Sequence, residues 1–172
     1  MADGPLQQRR AFVGLGSNVE PERHLRLALA ALDRDFGAVR RSPVCVSPAR
    51  GYAGPDYWNL CVAFDTEWTA VELVTWLKGL EGRLGRRPGE PRFAPKTLDA
   101  DLLLLDGEVS VTPPLPHPEL LTRAYVLGPL AMLEPDLVPP GTDRALGAFW
   151  RGFPDASSLR VLLPDPLQQA DG

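Results

Sequence analysis

The order in which hydrophobic periodicities follow one another constrains this chain most. Residues 11–16 (Ala11-Phe12-Val13-Gly14-Leu15-Gly16) read as a strand that stops at Ser17-Asn18. Pro21 then suits the first turn of a helix, with Glu20 and Glu22 at the positive end of its dipole. Leu25, Ala28, Leu29 and Leu32 fall at i, i+3, i+4 and i+7, one apolar stripe closed by Gly37. His24, one residue before that stripe, is expected at the surface. Residues 39–46 predict a second strand, 47–55 a loop rich in proline and glycine, and 57–64 a third strand. Thr69 with Glu72 three residues later is a capping-box signature, and Leu73, Trp76, Leu77, Leu80 and Leu84 share one face of the helix it opens. A basic loop over 85–95 leads to a strand over 97–105, ended by the turn Asp106-Gly107. A proline-rich stretch over 111–118 precedes a short helical segment and the stretch 125–133. Beyond Glu134 the chain reads as irregular apart from a helix around 145–150. Strand, helix, strand, strand, helix, strand predicts an α+β fold: a ferredoxin-like split βαβ arrangement, its sheet antiparallel with helices on one face.

Composition narrows the function classes. The length of 172 residues fits one domain, 1–172, with a core over about 11–140 and loose ends at 1–9 and 168–172. Proline and glycine (19 and 16 residues) predict many turns without reaching the level of a disordered chain. A net charge of −4 argues against a nucleic-acid partner or an acidic membrane surface. The polar start, with no apolar signal core and no run of spanning length, predicts a cytoplasmic protein. Cys45 and Cys61 lack metal-ligand spacing and read as buried free thiols. Nothing sets the oligomeric state, and a monomer is the simplest expectation.

The segment from Arg92 to Leu103 carries the most chemistry. On a strand, Asp99 and Asp101 project side by side while Leu98, Ala100 and Leu102 point the other way. Adjacent carboxylates repel unless a cation lies between them, and magnesium favours such a pair completed by waters and phosphate oxygens. Arg86, Arg87, Arg92 and Lys96 supply cations suited to polyphosphate. Spacing alone favours the plainer alternative, a solvated acidic strand edge beside a basic surface loop, because short charge patterns recur freely. Gly14-x-Gly16-Ser17-Asn18 lacks a third glycine and a P-loop lysine, so a tight strand-to-helix turn is the better reading. Asn59, in an apolar run, offers a donor and an acceptor to a heterocycle, or equally to nearby backbone. His117, between Pro116 and Pro118, is placed to touch phosphate or to be a loop histidine without a role. No serine or cysteine has the partners of a nucleophile.

Arg92-Phe93-Ala94-Pro95-Lys96-Thr97-Leu98-Asp99-Ala100-Asp101 resembles the signature of the 6-hydroxymethyl-7,8-dihydropterin pyrophosphokinases. Further blocks agree in order: residues 12–18, Pro55-Asp56-Tyr57-Trp58-Asn59, Glu81 with Leu84-Gly85-Arg86, Pro116-His117-Pro118, and Arg123-Ala124-Tyr125-Val126-Leu127 with Pro129-Leu130. The resemblance covers roughly 11–140. It implies a ferredoxin-like fold and transfer of pyrophosphate from ATP, the co-substrate, to a reduced pterin alcohol. In that reading Asp99 and Asp101 hold two Mg2+ ions, and Arg86 and Lys96 act on the phosphates. Asn59, Tyr57, Tyr125, Ser47, Pro48 and Gly51 form the pterin pocket, while Glu81, Arg92, His117 and Arg123 contact ATP. The chain departs from the pattern at Lys96, where arginine is commoner, at Phe93 for tryptophan and at Ala94 for glycine. Pro88 and Pro118 also stand where some members carry arginine and tyrosine. Two other functions fit the same residues: a binding module that keeps the fold without turnover, and a magnesium-dependent nucleotide transferase with another alcohol acceptor.

Overall fold

In the computed structural model, which describes residues 7–91 and 94–168, strand β1 (Arg9–Ser17) runs through the middle of one sheet. It pairs antiparallel with β4 (Tyr57–Thr66) on one side and with β5 (Asp99–Leu105) on the other. On the far side of β4 lie β2 (Arg40–Arg41) and β3 (Cys45–Ser47), and β6 (Arg160–Val161) pairs with β3 at the edge. The path β5-β1-β4-β3 puts β4 between β1 and β3, which is the expected split βαβ topology with every pairing antiparallel. The single strand predicted over 39–46 is instead two pieces. Pro43 has no N–H for the ladder, so pairing with β4 lapses there, and Ser42 bridges the gap by accepting from the Cys61 N–H at 2.9 Å.

Helix α1 (Pro21–Phe36) and helix α2 (Ala70–Arg83) cover one face of the sheet. Leu25, Leu32, Leu73, Leu77 and Leu80 pack there on Val13, Leu15, Leu60, Val62 and Leu102. The capping box forms as predicted: Thr69 Oγ1 accepts from Glu72 N–H at 3.2 Å and Glu72 Oε2 accepts from Thr69 N–H at 3.1 Å. His24 is buried, not at the surface, because its Nδ1–H donates to the Val19 carbonyl at 2.6 Å and frees the ring to pack.

The expectation of helices on one face is corrected by α3 (Ala124–Leu133) and α4 (Leu146–Arg151), which cover the other. Leu127, Leu130 and Leu146 meet Phe12, Cys61, Ala63 and Leu103. A bulge in β5 lets that strand serve both layers. Phe12 faces Leu104 and Val13 faces Leu102, so Leu103 is the extra residue. Leu102 and Leu105 therefore enter the first core, and Leu103 and Leu104 the second.

Candidate active site

Register across three strands builds the site. In an antiparallel pair, residues directly opposite share a face. Asp99 lies opposite Gly16, and Gly16 opposite Asn59; Asp101 lies opposite Gly14, and Gly14 opposite Cys61. Both rows face the α3 side. The two glycines are thus not a strand-to-helix turn: they lie inside β1 without positive φ, and the turn comes later, at Glu20 (φ 42°). Because they lack side chains, a trough runs over bare β1 backbone between the carboxylates and Asn59. Two strand spacings make it about 10 Å across. It opens into a cleft of about 500 Å³.

At the β5 wall, Asp99 and Asp101 stand as predicted, with Ala100 and Leu102 buried behind them. Arg86 Nη1 approaches Asp99 Oδ1 at 3.6 Å and donates to the Leu98 carbonyl at 3.1 Å. Lys78 Nζ approaches Asp101 Oδ1 at 3.5 Å. Burial, then repulsion by Asp101, raises the pKa of Asp99 against the opposing pull of Lys78, Arg86 and Lys96. Burial would lower the pKa of Lys78, but Asp101 and Glu81 outweigh it and hold the ammonium above its ordinary value. Glu81 is buried beneath this wall. Its Oε1 accepts from Ala100 N–H at 2.8 Å and from Lys78 at 2.9 Å, so it fixes the strand end that carries both aspartates.

At the opposite wall, Asn59 donates through Nδ2 to the Cys45 carbonyl at 3.1 Å and to Ser47 Oγ at 2.9 Å. A Cβ on Gly16 would meet Asn59 Oδ1 at 3.4 Å, so the acceptor end of the amide overhangs the trough. Backbone and Ser47 take the donor and leave the acceptor for a ligand. Tyr57 and Tyr125 line the same end. Burial is the main cause raising both phenols. Tyr125 donates to Glu119 Oε2 at 3.0 Å, and Glu119 N–H donates to His117 Nδ1 at 3.1 Å. Nδ1 is thereby an acceptor, which leaves Nε2 as the protonated nitrogen of the neutral ring. Arg123 lines the cleft with its Nε buried and unpartnered among the described residues, an orphan donor suited to an anion.

Ser47, Pro48, Tyr57, Asn59, Arg86, Lys96, Asp99, Asp101, His117, Arg123 and Tyr125 all line the one cleft. Glu81 supports it from below. Gly51 lies in the loop between Arg50 and Tyr52, both of which line it. Arg92, like Phe93, lies outside the described residues. Sequence reasoning missed Lys78, Asn18, Tyr52, Arg50 and Glu119. Asn18 joins both loops at the cleft mouth: Nδ2 donates to Tyr52 OH at 2.6 Å and to the Pro55 carbonyl at 3.1 Å, while Oδ1 accepts from Lys96 N–H at 2.8 Å. Lys78 had a signal in plain view. The chain has only two lysines, Lys78 and Lys96, and both stand at this site. A wider, more open depression of about 730 Å³ beside the start of α1, lined by Glu20, Arg23, Arg26 and Trp58 among others, gathers no comparable set of groups.

Residues 12–135 match the family model of 7,8-dihydro-6-hydroxymethylpterin-pyrophosphokinase (HPPK). The 2-amino-4-hydroxy-6-hydroxymethyldihydropteridine pyrophosphokinase of Pseudomonas aeruginosa is 38% identical over 138 residues, spanning 77% of this chain and 85% of that protein. Its counterpart in Synechocystis is 36% identical over 151 residues, covering 84% of this chain and 76% of the relative. The Bacillus subtilis protein is 31% identical over 151 residues, covering 82% and 90%. Among solved structures, wild-type HPPK-DHPS of Plasmodium falciparum with pteroate superposes with a TM-score of 0.69 at 10% identity, over 86% of this chain. The chain spans 42% of that longer protein, and the likeness is one of fold. With the family match running across β1, the loop after β3, β5 and α3, the elements that frame the cleft, the chain belongs to the 6-hydroxymethyl-7,8-dihydropterin pyrophosphokinase family.

Proposed function

We propose that this chain transfers pyrophosphate from ATP to the hydroxymethyl oxygen of 6-hydroxymethyl-7,8-dihydropterin and releases AMP, a step of folate biosynthesis. The observation that carries the reading is the row Asp99–Gly16–Asn59, with a carboxylate pair at one end and an amide acceptor at the other of a trough cleared of side chains.

Asn59 Oδ1 accepts from the N–H edge of the pterin, whose ring lies between Tyr57 and Tyr125. The loop of Ser47, Pro48 and Gly51 closes that end, and the hydroxymethyl arm points along β1 towards Asp99 and Asp101. Arg86, Lys96 and Arg123 meet the phosphates, and the Nε2–H of His117 donates to them; Glu81 acts by holding β5, and the family resemblance assigns Arg92 a contact with ATP. The donor set fits Mg2+, since two hard carboxylate oxygens leave most of an octahedral shell to water and phosphate. Bound there, Mg2+ would neutralise phosphate charge and acidify the attacking hydroxyl, and the resemblance implies two ions. Water is the competing nucleophile, so closure of the loop carrying Lys96 over the cleft favours transfer over hydrolysis. Residues 1–172 act as one domain, as a monomer in the cytoplasm, where thiols such as Cys45 and Cys61 stay reduced.

The test is AMP release from ATP and Mg2+ with and without the pterin alcohol. AMP formed only with the pterin is the expected result. Folded protein that binds pterin and an ATP analogue without forming AMP would instead be a module that keeps the fold without turnover. AMP released only with another alcohol would make it a different transferase.

A further inference from the structure

Lys78 projects from α2 to the β5 wall, where three acceptors converge on its ammonium. These are Glu81 Oε1 at 2.9 Å, the Ala100 carbonyl at 3.2 Å and Asp101 Oδ1 at 3.5 Å. An ammonium is a compact charge with three N–H donors, whereas guanidinium is a flat fork. Three oxygens around one small cation is a geometry built for the former. Composition sharpens the point. The chain carries 16 arginines and only two lysines, so nearly every cation here is arginine, yet this position is an ammonium.

Lys78 also stands apart from the phosphate-facing cations. It does not line the cleft, in contrast to Arg86, Lys96 and Arg123. Its charge is therefore directed at Asp101 and Glu81. Arg86 holds a comparable place beside Asp99. Without metal, each carboxylate thus has a fixed protein cation beside it.

We propose that Lys78 is the resident counter-cation of Asp101 and competes with the incoming divalent ion for that carboxylate. It is a positioning residue: it keeps Asp101 extended towards the site when no metal is bound and makes metal binding weak until nucleotide adds its own negative charge. The inference rests on the proposed metal site. Its sign is distinctive. A residue that merely props up the wall would weaken metal binding when removed, whereas a competing cation strengthens it.

The experiment measures Mn2+ binding by loss of the free-ion electron paramagnetic resonance signal, for wild type, Lys78→Gln and Lys78→Met. Each is measured without nucleotide and with a non-hydrolysable ATP analogue. Both variants are expected to bind Mn2+ about tenfold more tightly than wild type without nucleotide, the scale of a unit charge a few ångströms from a divalent ion in a watery setting. The difference is expected to shrink once the analogue is bound. Unchanged or weaker binding in the folded variants overturns the inference while leaving the metal site in place. Wild type that binds no Mn2+ even with the analogue overturns both.

A second measurement needs no substitution at Lys78. Reductive 13C-methylation labels two side-chain amines in this chain, and Lys96→Arg assigns the remaining signal to Lys78. Mg2+ is expected to shift the Lys78 resonance as its pairing with Asp101 breaks. A resonance that stays fixed at saturating Mg2+ and analogue overturns the inference.

Discussion

Burial and the neighbouring Asp101 raise the pKa of Asp99 in the folded, metal-free chain, and Lys78, Arg86 and Lys96 only partly offset them. The ionised form is thus less favourable folded than unfolded, so Asp99 costs stability at any pH above its folded-state pKa. That cost starts to shrink as pH falls below this pKa, where the folded carboxyl takes up a proton, and it is gone only below the ordinary carboxylate pKa of the unfolded chain. Asp99→Asn is therefore expected to raise the melting temperature of EDTA-treated protein at neutral pH, by a margin kept small because the carboxylate is partly exposed and water screens its repulsion. The gain should shrink towards acid pH, and scanning calorimetry across pH checks both parts. The same variant, like Asp101→Ala, should lose at least about a hundredfold in turnover, so one substitution improves the fold and removes the chemistry. The carboxylate pair was legible in the sequence because strand alternation alone puts residues 99 and 101 on one face. The scarcity of lysine marked Lys78 without placing it, because helical periodicity says which side of α2 it occupies but not that β5 passes beside it.

Among the elements, α1, α2 and the strands they cover were readable from apolar spacing and from the capping box. Three things were not. Strand β6 has two residues, too few to show any period, and forms only because β3 offers an edge. Helix α3 is apolar nearly all round, so its composition does not say which face of the sheet it covers. The joining of the two loops at the cleft mouth is invisible for another reason: Asn18, Tyr52, Pro55 and Lys96 meet only after the sheet has formed. Asn18 is buried and bonds both loops, so Asn18→Ala should cost about 1–3 kcal/mol of stability. Because it also loosens both sides of the cleft, KM should rise for pterin and for ATP together. A rise for one substrate alone would mean that the loops are not coupled through this side chain. Denaturant titration with steady-state kinetics reads both effects.

For the whole molecule, the family match ends at residue 135, yet the chain beyond it is part of the core. Leu146, Leu159 and Leu167 are buried, and a Cβ placed on Gly128 of α3 would collide with Leu159. Leu159→Ala and Leu167→Ala should each cost about 2–4 kcal/mol in urea unfolding, as for other buried leucines. The segment 136–168 is then a structural brace for α3 and the β3 edge, which a reading of its sequence as mostly irregular did not suggest. The bare stretch of β1 has a different kind of consequence. Neither Gly14 nor Gly16 needs to be glycine for its backbone, and a methyl group at either would meet neighbours no nearer than 3.4 Å. Folding gives no reason to keep them empty. The separation of the strands that carry the carboxylates and Asn59 is set by the hydrogen-bond pitch of a β-sheet, and side-chain changes can only trim the gap within it. The sheet therefore works as a ruler with fixed graduations: the partners this chain can join are those whose own length matches two of its divisions.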